Sequence, residues 1–350
     1  MKNILTFTRK ELNSFFKKEF TESKSYHTAE LFKWIYRKNV LDFDLMTNFS
    51  KKLRVSLKEK LSVVQSHIDL IERDESDGTV KFRLKLFDGS FVESVIIRTD
   101  KRTTLCVSSQ VGCAMACRFC LTALMGFKRN LTVNEIIDQL RFAEKIIKES
   151  NITGFEKEEH PISNIVFMGM GEPLNNIDEV GKAIDIMKDQ MAFGYSKRRI
   201  TVSTCGIADR ILELPAHGDP NLAVSLNAVS DELRETLMPV NKRYPLKKLF
   251  NVLKAYPLER GRRITFEYIL MKDVNDSIDD AKALIRLLKT VPSKINIICF
   301  NEFKGAAYRT SANEQVLLFT KYLLDNGIQA NLRESKGKSI SAACGLLAVK

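Results

Sequence analysis

The chain has 350 residues, 44% hydrophobic and 28% charged, with 55 lysines and arginines against 43 aspartates and glutamates, a formal net charge of +12. That composition fits a globular protein of more than one small domain with ample material for a core, and no apolar run reaches the roughly 20 residues that a membrane-spanning helix needs. The positive excess suits a polyanionic partner, most simply nucleic acid, and the opening stretch MKNILTFTRKELNSFFKKEF lacks a secretory leader's apolar region, so a cytoplasmic protein is expected.

Residues 1 to 65 read as helical. Leu31, Trp34, Ile35, Leu41, Leu45 and Met46 recur at helical spacings, and Asn48 or Ser50 offers a cap for KKLRVSLKEKL. Lys33, Arg37 and Lys38 interleave with Trp34 and Tyr36, which suits an RNA-docking module and a solvated basic face equally. Over 66–102 the period changes to two. HIDLIERD, TVKFRLKLF and SFVESVIIRT alternate as strands do, with hairpin signals at Asp77-Gly78 and Asp88-Gly89, so a small antiparallel hairpin sheet is expected.

From 103 onward, β-branched runs alternate with helical ones. The strand-like runs are TTLCVS, NIVFMGMG, RRITVSTCG, NLAVSLNA, RRITFEYILM, KINIICFNEF and QANLRES. Between them lie helical segments such as VNEIIDQLRFAEKIIKES, EVGKAIDIMKDQM, DDAKALIRLLKT and QVLLFTKYLLDN. Six or so βα units in one run predict an α/β fold with a parallel sheet, doubly wound or barrel-like, and chemistry at the carboxyl ends of its strands.

Seven cysteines and no secretory leader favour metal-binding or catalytic thiols over a disulfide framework. Three of them crowd into CAMACRFC: Cys113, Cys117 and Cys120, spaced C-x3-C-x2-C directly after a strand. A closed zinc site wants a fourth ligand, and no further Cys or His lies nearby; His27, His67, His160 and His217 are scattered. A [4Fe–4S] cluster held by three thiolates leaves one iron open, as reductive cleavage of S-adenosylmethionine requires. The spacing, with Phe119 before the last cysteine, is the radical-SAM signature. The next strand ends in MGMGEP, where two glycines and Glu172 would let a ligand's amino group approach the backbone.

Beyond the signature, the chain resembles the radical-SAM RNA methyltransferases of the RlmN/Cfr family. The matching stretches are ELFKWIYRKNVLDFDLMTNFSKKLR, FDGSFVESVIIR, TLCVSSQVGCAMACRFC, NIVFMGMGEPLNN, SKRRITVSTCG, AVSLNA, FEYILMKDVND, KINIICFNEF and AACGLL. They run in order over nearly the whole chain, and several look more like the C2 enzymes than the C8 ones.

The resemblance implies a partial (β/α)6 barrel over 103–340. An N-terminal helical accessory domain (1–65), a β-hairpin linker region (66–102) and a C-terminal segment (341–350) would complete it. It implies that Cys113, Cys117 and Cys120 ligate the cluster, and that Gly171, Glu172, Ser203, Ser225, Leu226, Asn227 and Asn301 contact S-adenosylmethionine. Cys344 would carry the methyl group as S-methylcysteine, Cys106 would be the resolving thiol, and Glu93 the proton acceptor. The implied reaction methylates C2 of an adenine in 23S rRNA and in tRNA and consumes two S-adenosylmethionine molecules. One methylates Cys344; a radical drawn from the second activates that methyl, which adds to the adenine. Cys106 then releases the RNA by forming a disulfide with Cys344. A monomer served by an electron donor such as flavodoxin or ferredoxin is expected.

Read without the resemblance, Cys106, Cys205, Cys299 and Cys344 are small buried residues, and Glu93 is an outward-facing strand carboxylate. Two departures from the family pattern stand out: Asn227 replaces the usual histidine, and GKSISAAC with GLL alters the surroundings of Cys344. Asparagine keeps a hydrogen bond but cannot carry an imidazole's charge. The rival readings are a C8 adenine methyltransferase, a non-catalytic Fe–S RNA-binding protein and a zinc protein.

Overall fold

One ten-stranded sheet organises the chain in the computed structural model, which describes residues 1–20, 24, 26–100, 102–149 and 161–349. Ser150, the last residue of the first predicted barrel helix, and His160 lie outside the described residues. The strands are β1 (His67–Arg73), β2 (Val80–Lys85), β3 (Phe91–Thr99), β4 (Arg102–Cys106) and β5 (Asn164–Phe167). They continue with β6 (Ile200–Thr204), β7 (Asn221–Ser225), β8 (Ile264–Leu270), β9 (Ser293–Cys299) and β10 (Ala330–Arg333). All ten lie side by side in chain order. Neighbours are antiparallel from β1 to β4 and parallel from β4 to β10.

That order decides between the two parallel architectures. A doubly wound sheet reverses its strand order at a switch point, and this one never does. With right-handed crossovers, an unreversed order puts every helix on the same face, so the sheet must curl around the other. The curl shows in two charges: Arg102 on β4 and Arg333 on β10 repel one another. Six strand spacings of a flat sheet would separate them by about 29 Å. β1 and β10 stay unpaired with each other, so the barrel is open. The hairpin strands of 66–102 continue this sheet through β3 and β4. A separate antiparallel pair, Gln110–Gly112 with Phe127–Asn130, was not foreseen and flanks the cysteine loop.

The register sorts side chains into two faces. Phe82, Leu105, Phe167, Val202, Val224, Phe266 and Ile297 share the convex face and are all buried. Helices Val133–Glu149, Ile177–Lys188, Ile278–Leu288 and Asn313–Asp325 fall where the sequence puts them, whereas Asp231–Leu237 and Leu246–Ala255 were not predicted. The concave face carries Arg83, Glu93, Cys106, Ser203, Ser225, Glu267, Asn296 and Arg333.

The N-terminal region is helical as expected, with Lys2–Asn3 pairing in parallel with Leu61–Ser62 to close it. Thr8 and Glu11 form a capping box on Arg9–Glu19, and Ser50 caps Lys51–Lys60. Asn48 is no cap; its side chain instead accepts from the Trp34 indole. Leu45 lies on the surface, outside the apolar stripe its spacing suggested, because a short 3₁₀ turn over Phe43–Leu45 breaks the helical period. Arg9 with Asp189 (2.6 Å) and the Tyr36 ring against Phe193 (5.5 Å) dock the region on the barrel.

Candidate functional site

The cysteine loop starts at Gly112 and closes back on Gly126. At Gly112 φ is +74° and a Cβ would stand 1.8 Å from the Gly126 carbonyl oxygen, so only glycine fits. The Cys113 amide donates to that same carbonyl at 2.9 Å, and the Arg118 amide donates to Leu237 O at 3.0 Å. The three thiols are free and partly buried. Burial pushes the Cys113 thiol up to about 12 and that of Cys117 higher still, with the neighbouring cysteines adding to both. Such thiols stay protonated until a metal centre displaces their protons. Among the described residues no group of three His, Cys, Asp or Glu is arranged to hold a single metal ion. The three thiols lie close enough that Cys120 raises Cys113, and Cys113 and Cys120 raise Cys117, and three such sulfurs on one loop fit a cluster, whose ligand sulfurs stand around several irons.

The residues expected at the S-adenosylmethionine site lie at the carboxyl ends of β5, β6, β7 and β9. Gly169 and Gly171 have a role that the sequence did not disclose. Cβ atoms there would meet Val107 O at 2.8 Å and Gln110 Cβ at 2.5 Å, so the glycines first admit the chain running on from β4. Glu172 is buried, with Oε1 accepting from the Leu174 amide at 3.0 Å and Oε2 from the Cys205 amide at 2.7 Å. Burial raises its carboxyl pKa, against the pull of those amides. Ser203 and Ser225 share the concave face, and Leu226 is buried. Asn301 donates through Nδ2 to Cys344 O at 3.1 Å, but its Oδ1 is buried with no partner. An orphaned acceptor of this kind fits the amino donors of S-adenosylmethionine.

Asn227 also has a structural part. Its φ is +57°, a region asparagine tolerates and most residues avoid. Oδ1 accepts from the Ile269 amide at 2.9 Å, and Nδ2 points to the Met238 sulfur at 3.4 Å. With these two contacts the side chain holds the turn after β7.

Cys106, Glu93 and Cys344 converge from three parts of the chain. Cys106 ends β4, buried on the concave face, and its thiol feels the charge of Cys344. Cys344 is itself exposed between buried neighbours, Ala342, Ala343, Leu346 and Leu347, and desolvation by the protein packed beside its thiol raises its pKa, with Glu267 adding. The C-terminal segment docks directly on the cysteine loop: the Leu121 amide donates to Gly345 O at 2.7 Å and Thr122 Oγ1 to Leu347 O at 2.6 Å. Glu93 is 4% exposed, not the outward-facing carboxylate its strand suggests. Its Oε2 accepts from the Ala348 amide at 3.1 Å, and Lys81 Nζ lies 3.6 Å from Oε1. Burial raises its carboxyl pKa and Lys81 draws it back.

Sequence reasoning missed two site residues. Glu267 lies buried on β8, with Asn296 Nδ2 donating to its Oε1 at 2.8 Å. Arg234, in what reads as an ordinary charged helix, is completely buried. A glutamate amid ITFEYIL was the one available signal for Glu267, since a charge inside an apolar strand asks for a partner.

An open (β/α) barrel with a three-cysteine loop after its first parallel strand, and a buried unmet acceptor at the carboxyl end of β9, defines a radical-SAM enzyme. The Radical SAM superfamily model matches residues 107–288, and the model described as ribosomal RNA large subunit methyltransferase N-terminal domain matches residues 2–63. The chain is 43% identical over 345 residues to a dual-specificity RNA methyltransferase RlmN from Geotalea uraniireducens (strain Rf4), covering 99% of this chain and 96% of that one. With the protein of the same description from Geobacter sulfurreducens it shares 44% over 322 residues, 92% of this chain and 86% of the other. A solved radical SAM methyltransferase from Sphaerobacter thermophilus superposes with a TM-score of 0.90 at 36% identity, each chain covered in full. The chain belongs to the RlmN family of radical-SAM methyltransferases, and its cofactors are a [4Fe–4S] cluster and S-adenosylmethionine.

Proposed function

We infer that this chain methylates C2 of an adenine in 23S rRNA and in tRNA, with Cys344 as the methyl carrier. One observation carries the reading: the Cys344 segment is held at once by the cysteine loop, by Asn301 and by Glu93, within electrostatic reach of Cys106. When bound, the cluster and S-adenosylmethionine supply an electron, a transferable methyl group and a radical. Cys113, Cys117 and Cys120 would hold the first; Gly171, Glu172, Ser203, Ser225, Leu226 and Asn301 would line the second. Asn227 would join that lining while holding its turn.

The Cys344 proton must leave as the methyl group arrives, because burial keeps this thiol neutral beforehand. Glu93, with its carboxylate fixed between Lys81 and the Ala348 amide, would take the proton from the adenine ring. Cys106 would then displace the product from Cys344. The target base has to leave its stack to enter the concave face. The helical region 1–65 would grip structured RNA by shape and charge, with 66–102 linking it to the barrel of 103–340 and 341–350 presenting Cys344. We place the enzyme in the cytoplasm as a monomer; no described helix is long and apolar enough to cross a membrane. Its reductant would be a flavodoxin or ferredoxin.

Nucleoside mass spectrometry on RNA from a methylation-deficient bacterial host, with and without this chain, tests the reading. New 2-methyladenosine in 23S rRNA and in tRNA is the expected result. New 8-methyladenosine would move the chain to the C8 branch. No methyladenosine beside cluster-loaded protein would leave a non-catalytic RNA binder.

A further inference from the structure

Arg234 sits on the short helix Asp231–Leu237 after β7, and no part of it reaches solvent. Its guanidinium donates from Nε to Leu226 O at 3.1 Å and from Nη1 to Asn241 Oδ1 at 2.9 Å. Nη2 donates to Cys205 O at 2.7 Å and to Ser225 O at 3.1 Å. Every partner is a neutral oxygen. A charge surrounded only by neutral dipoles in a low-dielectric interior is strongly unfavourable unless an anion stands nearby.

The neighbouring acids are engaged elsewhere. Asp231 Oδ1 accepts from Asn241 Nδ2 at 2.9 Å and from the Leu246 amide at 2.7 Å. Glu172 gives both oxygens to the Leu174 and Cys205 amides. What Arg234 faces electrostatically, ahead of Asp231, are the sulfurs of Cys205 and Cys117. Burial raises the Cys205 thiol well above its ordinary value, and the Glu172 carboxyl beside it adds to this. Cys117 is a proposed cluster ligand, and the same helix grips its loop one turn further on, where Leu237 O accepts from the Arg118 amide at 3.0 Å.

We propose that Arg234 is the fixed counter-cation of the iron–sulfur cluster and sets how readily that cluster accepts an electron. The proposal rests on the cofactor reading above. A [4Fe–4S] centre with three thiolate ligands is a net anion and gains one more negative charge on reduction. A buried cation beside it stabilises the reduced form more than the oxidised form, most strongly where water is excluded. Arg234 is in this sense a positioning residue: it acts through the cluster and on its potential. Its four hydrogen bonds fix the distance, tying the carboxyl ends of β6 and β7 to the helix that grips the loop.

The test compares Arg234→Lys, which keeps the charge and loses the fork, with Arg234→Gln, which keeps amide donors and loses the charge. Both full-length variants and the parent are reconstituted anaerobically, assayed for iron and sulfide, and titrated by EPR against a series of redox mediators. The reduction equilibrium constant of the Lys variant should stay within about threefold of the parent. That of the Gln variant should fall at least tenfold, about 59 mV for one electron. A Gln variant that cannot load while the Lys variant holds the parent potential also supports the proposal. Two variants that behave alike, whether unshifted, equally shifted or equally unable to fold or load, overturn it, as does a Lys variant worse than Gln. A parent protein that shows no [4Fe–4S] signal after reconstitution would instead overturn the cofactor reading.

Discussion

In the proposed reaction Cys106 attacks as a thiolate to resolve a crosslink on Cys344, and its surroundings disfavour that form. Desolvation holds its pKa well above the ordinary thiol value, the charge of Cys344 adds to this, and the Met168 amide opposes it. Everywhere below that raised pKa the thiolate fraction grows about tenfold per pH unit. Release of RNA from the Cys344 adduct, followed on denaturing gels after a single turnover, should therefore quicken about tenfold per unit between roughly pH 7 and 9. A flat profile would mean that the proton has already gone when attack begins. Glu267 gives the opposite sign for stability. Burial raises its carboxyl pKa to about 7, so the folded state holds a proton that the unfolded chain has already lost. Stability from this group is complete below the unfolded value near 4.5 and falls as the pH rises through 7. Glu267→Gln keeps an oxygen for Asn296 and should be more stable than the parent in urea at pH 8, by up to ~3 kcal/mol. At pH 4.5 that advantage should vanish; an equal gain at both pH values would assign it to packing.

Residues 337–349 contain neither helix nor strand, yet partners on four separate elements hold them. Asp77 in the first hairpin accepts from the Gly337 amide at 2.8 Å, and Glu93 on β3, the cysteine loop and Asn301 fix the remainder. Each neutral hydrogen bond in such a clasp contributes on the order of 1 kcal/mol. Thr122→Val removes the bond to Leu347 O and should raise hydrogen exchange at the Leu121 and Ala348 amides about fivefold, leaving the β8 amides unchanged. Exchange that rises over the whole barrel would instead mark a global loss of stability. The bond from Thr122 to Leu347 spans 225 residues, which explains why the clasp could not be read from the chain. The cysteine spacing, the hairpin turns and all seven parallel strands could be, because each is written in a few adjacent residues. Family resemblance put roles on Glu93 and Cys344, but nothing local tells that Glu93 is buried. DELRETL likewise looks like a surface helix, and only its packing on the carboxyl ends of β6 and β7 makes Arg234 an interior cation. Gly169 and Gly171 were visible as glycines, whereas the neighbour that requires them, Val107 to Gln110, is some sixty residues away.

On the scale of the whole molecule, charge decides how RNA approaches an open barrel. A net charge of +12 makes the outer surface generally attractive to phosphate, so the informative quantity is where the effective cations lie. Two regions compete. One is the N-terminal helical face, with exposed Lys17, Lys18 and Lys51. The other is the barrel opening, where Arg102 and Arg333 stand exposed and close enough to repel each other. Mutual repulsion of this kind is relieved when a phosphate sits between the two guanidiniums. Each phosphate contact contributes about −0.7 to −0.9 to the slope of log affinity against log salt. Replacing Lys17, Lys18 and Lys51 together with glutamine should reduce the magnitude of that slope by about 2, measured by filter binding of a hairpin RNA between roughly 50 and 200 mM salt. Cluster content and the cleavage of S-adenosylmethionine without RNA should not change, since all three lysines are exposed on the N-terminal helices, which contribute no strand to the barrel. An unchanged slope would make the N-terminal lysines a solvated face. Arg102→Gln and Arg333→Gln would then be the variants that lose the contacts, and the RNA would be held at the barrel opening.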